Sequence, residues 1–231
     1  MPTDPTINTI VRPKKHFDTL LWTGNSTNNR VITGLEFQPD LVWIKKRNGS
    51  MSHYWISSVQ TYTSSGTGNG NVGAFVSGTN STDAEGTTTD GGFASFNSDG
   101  FTLGTDDRVN QSSGTHVSWN WKAGTTSGIS AGSQTITPSA YSINATAGIG
   151  IYKWSRSGAS TTDYFSHGLG ATPTMALQKR TDAVQDWYVN FTVRDGSNDR
   201  MQLNNTTALA DDTTTLPTST NYYPKSPETG D

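Results

Sequence analysis

The sequence predicts an all-β protein built from two related antiparallel β-sandwich or jelly-roll-like modules, with few or no helices. Three observations predict this. Aromatic and β-branched residues fall in short alternating runs separated by Gly and Asn turns. No stretch of twelve residues has apolar positions at helical spacing without Gly or Pro. A pattern of Gly, Leu, Pro and paired basic residues occurs twice with constant spacing. The 231-residue length suits one large β domain or two small ones. The composition is low in charge and rich in Ser, Thr, Gly and Asn, as in linkers, but seven tryptophans argue for a folded chain.

The first strand signal is Leu41-Val42-Trp43-Ile44-Lys45-Lys46-Arg47. Asn48-Gly49 follows and predicts a type I′ hairpin turn, because both central positions need positive φ. The return strand is 52–59, with Tyr54, Ile56 and Ser58 on one face and His53, Trp55 and Ser57 on the other. A second hairpin runs Phe93-Ala94-Ser95-Phe96, turns around Asp99-Gly100, and returns through Phe101-Thr102-Leu103. In His116-Val117-Ser118-Trp119-Asn120-Trp121, Val117, Trp119 and Trp121 share one face.

The repeat aligns Trp22, Gly34-Leu35, Pro39, Leu41, Lys45-Lys46 and Tyr54-Trp55 with a later set. That set is Trp154, Gly168-Leu169, Pro173, Met175, Lys179-Arg180 and Trp187-Tyr188. The expected organisation is an extended arm over 1–15, a first sandwich over 16–124, and a linker or bridging strand over 125–148. A shorter second sandwich over 149–223 and a tail over 224–231 complete it. The second copy shows no clear counterpart of the Phe101 hairpin or of the Trp119–Trp121 strand. A sandwich short of strands leaves an open edge and a bare apolar face. It is a smaller variant, or it borrows a strand from 133–145, or a neighbouring subunit covers it. The arm is either a frayed terminus or a segment that orders on a partner.

Several functions are disfavoured. No run approaches ~18 apolar residues, so no transmembrane helix is expected, and Pro2-Thr3-Asp4-Pro5 does not read as a signal peptide. A net charge of -3 gives no reason to expect nucleic-acid binding. Without cysteine there is no disulfide, zinc-thiolate site or cysteine nucleophile. His16, His53, His116 and His167 form no HxH or HExxH pattern. Asp83, Glu85 and Asp90 lack the register of a calcium loop, and Asp106-Asp107 reads as a solvated loop in the same way. No GxSxG elbow occurs. No catalytic residue, cofactor or metal site is expected. Asn25, Asn80 and Asn190 head sequon-like triplets that composition alone accounts for.

Two groups remain as candidate contacts with a partner or a glycan. Lys45, Lys46 and Arg47, echoed by Lys179 and Arg180, are either an acidic-partner site or protection of strand edges. Trp55 and Trp187 are either sugar-stacking residues or core.

Leu21-Trp22-Thr23-Gly24-Asn25, Ile32-Thr33-Gly34-Leu35, Phe37-Gln38-Pro39-Asp40-Leu41-Val42-Trp43-Ile44-Lys45, Ser98-Asp99-Gly100-Phe101 and Trp119-Asn120-Trp121-Lys122-Ala123-Gly124 carry a family resemblance. The chain resembles an uncharacterised, internally duplicated domain family of marine bacteriophage virion proteins, found in tail fibres and surface appendages. The resemblance implies a non-enzymatic structural protein on the virion surface, assembled in the bacterial host cytoplasm. It implies capsid decoration or a tail-associated position, other virion proteins as partners, and a homo-oligomer, a trimer by analogy with phage architecture. The alternative is a receptor-binding module that recognises host surface glycan. A glycan-cleaving depolymerase is a third reading, which needs two carboxylates flanking a sugar.

Overall fold

The computed structural model describes residues 13–60, 74–75, 78–84, 86–87, 91–129, 134–155, 162–212 and 215–224. Most of the arm and tail, with Glu85 and Asp90, lies outside these residues. A short 3₁₀ turn, Pro13–Lys15, leads into β1 (Phe17–Thr23), β2 (Arg30–Thr33), β3 (Leu41–Lys46) and β4 (Tyr54–Ser57). Next come β5 (Ala74–Phe75), β6 (Gly86–Thr87), β7 (Phe93–Asn97), β8 (Gly100–Leu103), a one-turn helix α1 (Asp107–Asn110) and β9 (Thr115–Trp121). The remainder is β10 (Ala140–Asn144), β11 (Ile149–Lys153), β12 (Phe165–Ser166), β13 (Met175–Gln178), β14 (Tyr188–Phe191), β15 (Asp199–Gln202), β16 (Ala210–Asp211) and β17 (Asn221–Tyr222). The fold is all-β, as its alternating runs predict.

The first copy is a sandwich. One sheet has the order β1-β9-β3-β4 and the other β2-β8-β7, all antiparallel. Trp22, Val42, Ile44, Tyr54 and Ile56 point inward from the first sheet and meet Ile32, Phe93, Phe101 and Leu103 from the second. Val109 of α1 closes the core, and the Asp106 side chain caps α1 by accepting from the Arg108 N–H at 2.8 Å.

One expectation is corrected in this copy. The Asn48-Gly49 turn is not a two-residue type I′ turn. The last β3–β4 pair is Ile44 with Tyr54, so a long loop connects the strands, and neither residue has positive φ. The reason is that β3 keeps pairing with β9 through Lys46. Asn48 then serves as a tie, its Oδ1 accepting from the Thr115 N–H at 3.0 Å.

The sequence leaves open which face of β9 turns inward. On β9 it is the polar face that is buried: His116, Ser118 and Asn120 are inside. Packing explains this. β9 is central, and Ser118 sits between Leu20 and Ile44 in register, so large flanking side chains leave room for a small one. His116 stacks on Trp22 at 5.4 Å. Asn120 Nδ2 donates to the Asp18 carbonyl at 3.0 Å and to Ser118 Oγ at 2.9 Å, whereas Asn120 Oδ1 and both ring nitrogens of His116 are buried without a hydrogen-bond partner among the described residues.

The second copy repeats the β3–β4 hairpin in identical register. Leu41 pairs Ser57 and Ile44 pairs Tyr54 in the first copy; Met175 pairs Phe191 and Gln178 pairs Tyr188 in the second. Both strands are displaced by 134 residues. This equates Tyr54 with Tyr188 and His53 with Trp187, one residue away from the alignment of the two aromatic pairs. The turns agree too, since Gly34 and Gly168 both have positive φ, +123° and +68°. Strand β17 pairs β12 as β8 pairs β2, which supplies part of the counterpart the sequence did not reveal. Within 133–145, β10 pairs β11, and it also bridges back to Thr125. The small second core gathers Phe165, Tyr222 and Ile136 with Tyr152, Trp154 and Ala176.

Candidate interaction surface

The outer face of the four-stranded sheet collects the aromatic residues that alternation keeps out of the core. Register places Thr19, Trp119, Trp43 and Trp55 side by side across the four strands. The next row begins with Phe17 and Trp121. Ring centroids lie 5.7 Å apart for Trp43–Trp119, 5.4 Å for Trp43–Trp55 and 5.1 Å for Phe17–Trp121. Their planes are tilted by 48° to 62°, the edge-to-face geometry aromatic quadrupoles favour. The four tryptophans are half-buried, and Leu21 on the same face is 65 % exposed. Trp43 Nε1 donates to His53 Nδ1 at 3.0 Å. Burial, aided by the neighbouring Lys45 charge, holds the His53 imidazole below its ordinary pKa.

The row ends on the second copy. Trp187 packs edge-on against Trp55 at 5.5 Å and is only 2 % exposed. Asp186 fixes the loop around it: its carboxylate accepts from Gln202 Nε2 at 2.9 Å and Asn204 Nδ2 at 2.7 Å. The Trp187 N–H in turn donates to Asn204 Oδ1 at 2.8 Å. The two tryptophan candidates are therefore brought together, and Trp187 is the seam between the copies.

The basic candidates do not form one patch. Lys45 Nζ donates to the Lys46 carbonyl at 2.8 Å, and Lys179 Nζ donates to the Arg180 carbonyl at 2.6 Å, so the repeat extends to side-chain geometry. Lys46 bonds Gln111, Arg180 pairs Asp182 at 2.7 Å, and Arg47 is exposed. Lys179 also reaches the Thr82 carbonyl at 3.4 Å, where Gln185 N–H donates at 2.9 Å. Burial pushes the Lys179 ammonium down to about 8, against the opposing pull of Asp83, Asp182 and Asp186. The Lys179 ammonium is thus part of the contact between copies.

A second tie lies at Asp40. Its Oδ1 accepts from Ser58 Oγ and Ser142 Oγ, both at 2.9 Å, and its Oδ2 accepts from the Ala123 N–H at 2.9 Å. It joins β3, the turn after β4 and β10. Above it opens a cleft of ≈ 540 Å³ lined by Gln38, Ser58, Lys122 and Tyr141 among others. Among the described residues, no group of three or more His, Asp or Glu is placed to hold a metal ion. Sequence reasoning singled out neither Asp40 nor the outward row of Trp43, Trp119 and Trp121. The one signal for the row was the shared face of Val117, Trp119 and Trp121.

These features define a duplicated all-β sandwich protein whose copies are locked by an aromatic seam. The chain belongs to the family described as a domain of unknown function (DUF7483), whose model matches residues 12–226. No curated protein and no solved structure shows significant similarity to it.

Proposed function

We propose that the protein is a non-enzymatic accessory component of a bacteriophage particle surface, on the capsid or tail, that binds other virion proteins by contact area. The outer face of the large sheet carries this reading, together with the resemblance of the first-copy motifs to phage virion domains. Rigid, half-buried tryptophans suit a protein interface, since they bring large area at small entropic cost. Their tilt supports a protein partner over a sugar. A sugar ring stacks on an open aromatic face, whereas these rings cover one another's faces and present edges. The face measures roughly 20 by 23 Å from strand spacing and rise, about half the ~800 Å² per partner of a stable interface. Other surfaces of the chain must add to it.

Immunogold electron microscopy of particles of the encoding phage tests the proposal. Label over the head supports decoration and label along the tail supports a tail-associated position. Intact particles without label, when the protein is expressed, overturn it.

The cleft above Asp40 favours a second reading, recognition of host surface glycan. Its volume lies within the 300–1,000 Å³ typical of small-ligand sites, and Tyr141 offers an aromatic ring beside Gln38 and Lys122. Binding on a glycan array that is lost in Tyr141→Ala but kept in Trp55→Ala would favour it. Reducing-end release from host polysaccharide would point instead to an enzyme.

A further inference from the structure

We propose that the free edge of β13 accepts residues 6–11 from a second copy of the chain, which completes the second sandwich in trans. The proposal goes beyond the virion reading and does not rest on it.

The two copies of the hairpin supply the argument. In the first, β3 is paired on both edges, by β4 on one side and over six residues by β9 on the other. In the second, β13 pairs β14 in identical register, but among the described residues no strand takes the position of β9. The strand that pairs β11, β10, turns its other edge to Thr125 rather than to β13. Among the described residues the outer edge of β13 therefore has no backbone partner, which makes it a template for strand addition.

The face beside this edge is apolar across β13 and β14, and its Met175–Phe191 row runs on to Asp199 on β15. Register places Leu177, Val189 and Met201 in one row and Met175 beside Phe191 in the next. Met175, on the edge strand itself, is 62 % exposed. An added strand would cover it.

The chain has one terminal segment suited to the position. Residues 6–11 are Thr6, Ile7, Asn8, Thr9, Ile10 and Val11, five of them β-branched and bounded by Pro5 and Pro13. Their number matches the six pairs that β9 makes with β3. The opposite terminal segment, 225–231, is polar and holds a proline.

Tethering selects a second copy over the chain's own segment. Only Arg12 separates residues 6–11 from the 3₁₀ turn at Pro13, which is held against β1 through the Lys14–Asp18 pair. One or two residues reach at most about 7 Å. β1 is the edge of its sheet opposite β4, and Trp187, which precedes β14, packs on Trp55 of β4; on the β1 side the later part of the chain is met only by β10, whose Asn144 lies 3.0 Å from His16 among the described residues. Crossing from β1 to β4 alone takes ~14 Å. Such an exchange gives a reciprocal dimer, or a ring where it runs head to tail and the rotation closes.

The test uses the full chain, which contains no cysteine. Light scattering should give a small multiple of 24.8 kDa, and a chain lacking residues 2–11 should be a folded monomer by scattering and circular dichroism. For a readout independent of truncation, chains carrying Met175→Cys are mixed under mild oxidation with chains carrying cysteine at Ile7, Thr9 or Ile10. A mixed disulfide between the two kinds of chain is expected. A monomeric full chain, an oligomer that survives truncation, or no mixed disulfide at any of the three positions overturns the proposal. So does a disulfide forming within one chain when both cysteines are placed together.

Discussion

Two residues hold the copies together in different ways, and their replacement should differ accordingly. Trp187 works by volume. Trp187→Ala removes a buried indole packed edge-on against Trp55, and should cost about 3–5 kcal/mol in chemical denaturation. Asp40 works by polarity. Asp40→Ala strands two hydroxyls and a backbone N–H that now donate to one carboxylate. A loss of about 3 kcal/mol is expected, and protease should reach the 125–148 connection sooner. Neither residue was legible as a tie. The positions each joins are far apart in sequence, Asp40 to Ser142 and Trp55 to Trp187, and alternation reports only neighbours within a strand. His167 shows the same limit. Its Nδ1 accepts from the Leu169 N–H at 3.1 Å, which leaves Nε2–H to donate to the Thr218 carbonyl at 3.0 Å. A histidine that fits no metal motif in the sequence serves here as a neutral clamp.

Strands are where sequence served best. β3, β4, β7, β8 and β9 all fall on the runs whose period-two pattern marked them. What that pattern cannot supply is which face turns inward when both are bulky or both mixed. For β9 the neighbours decide, through the volume of Leu20, Ile44 and Trp22. The short second-copy strands β12 and β17 have two residues each, too few for any period to register. Backbone contact governs the pairing of β2 with β8. A Cβ on Gly100 would stand 1.9 Å from the Ile32 carbonyl oxygen, so Gly100→Ala must push these strands apart. Loss of several kcal/mol, or failure to fold, is expected in thermal melts, whereas Gly128→Ala, with open space around it but positive φ, should cost only about 1 kcal/mol.

For the molecule as a whole, acidity is the simplest lever. Burial is the main force lowering the pKa of His116 and of His167. A lowered native value means that the unfolded chain, with histidine near 6.5, takes up protons first as pH falls. Stability should therefore be complete above about pH 7 and decline below about 6.5, by up to ~1.4 kcal/mol per pH unit for each histidine. Denaturation midpoints measured from pH 8 to pH 5 check this, and a flat profile would contradict the burial of these two imidazoles. The four indoles of Trp43, Trp55, Trp119 and Trp187 form a chain of centroid contacts between 5.4 and 5.7 Å. At such separations their excited states couple, so the row acts as a built-in optical gauge. Its circular dichroism couplet would vanish at the Trp187 end when the copies part and persist along Trp119–Trp43–Trp55 while the first sandwich survives, distinguishing separation of the copies from unfolding without any label.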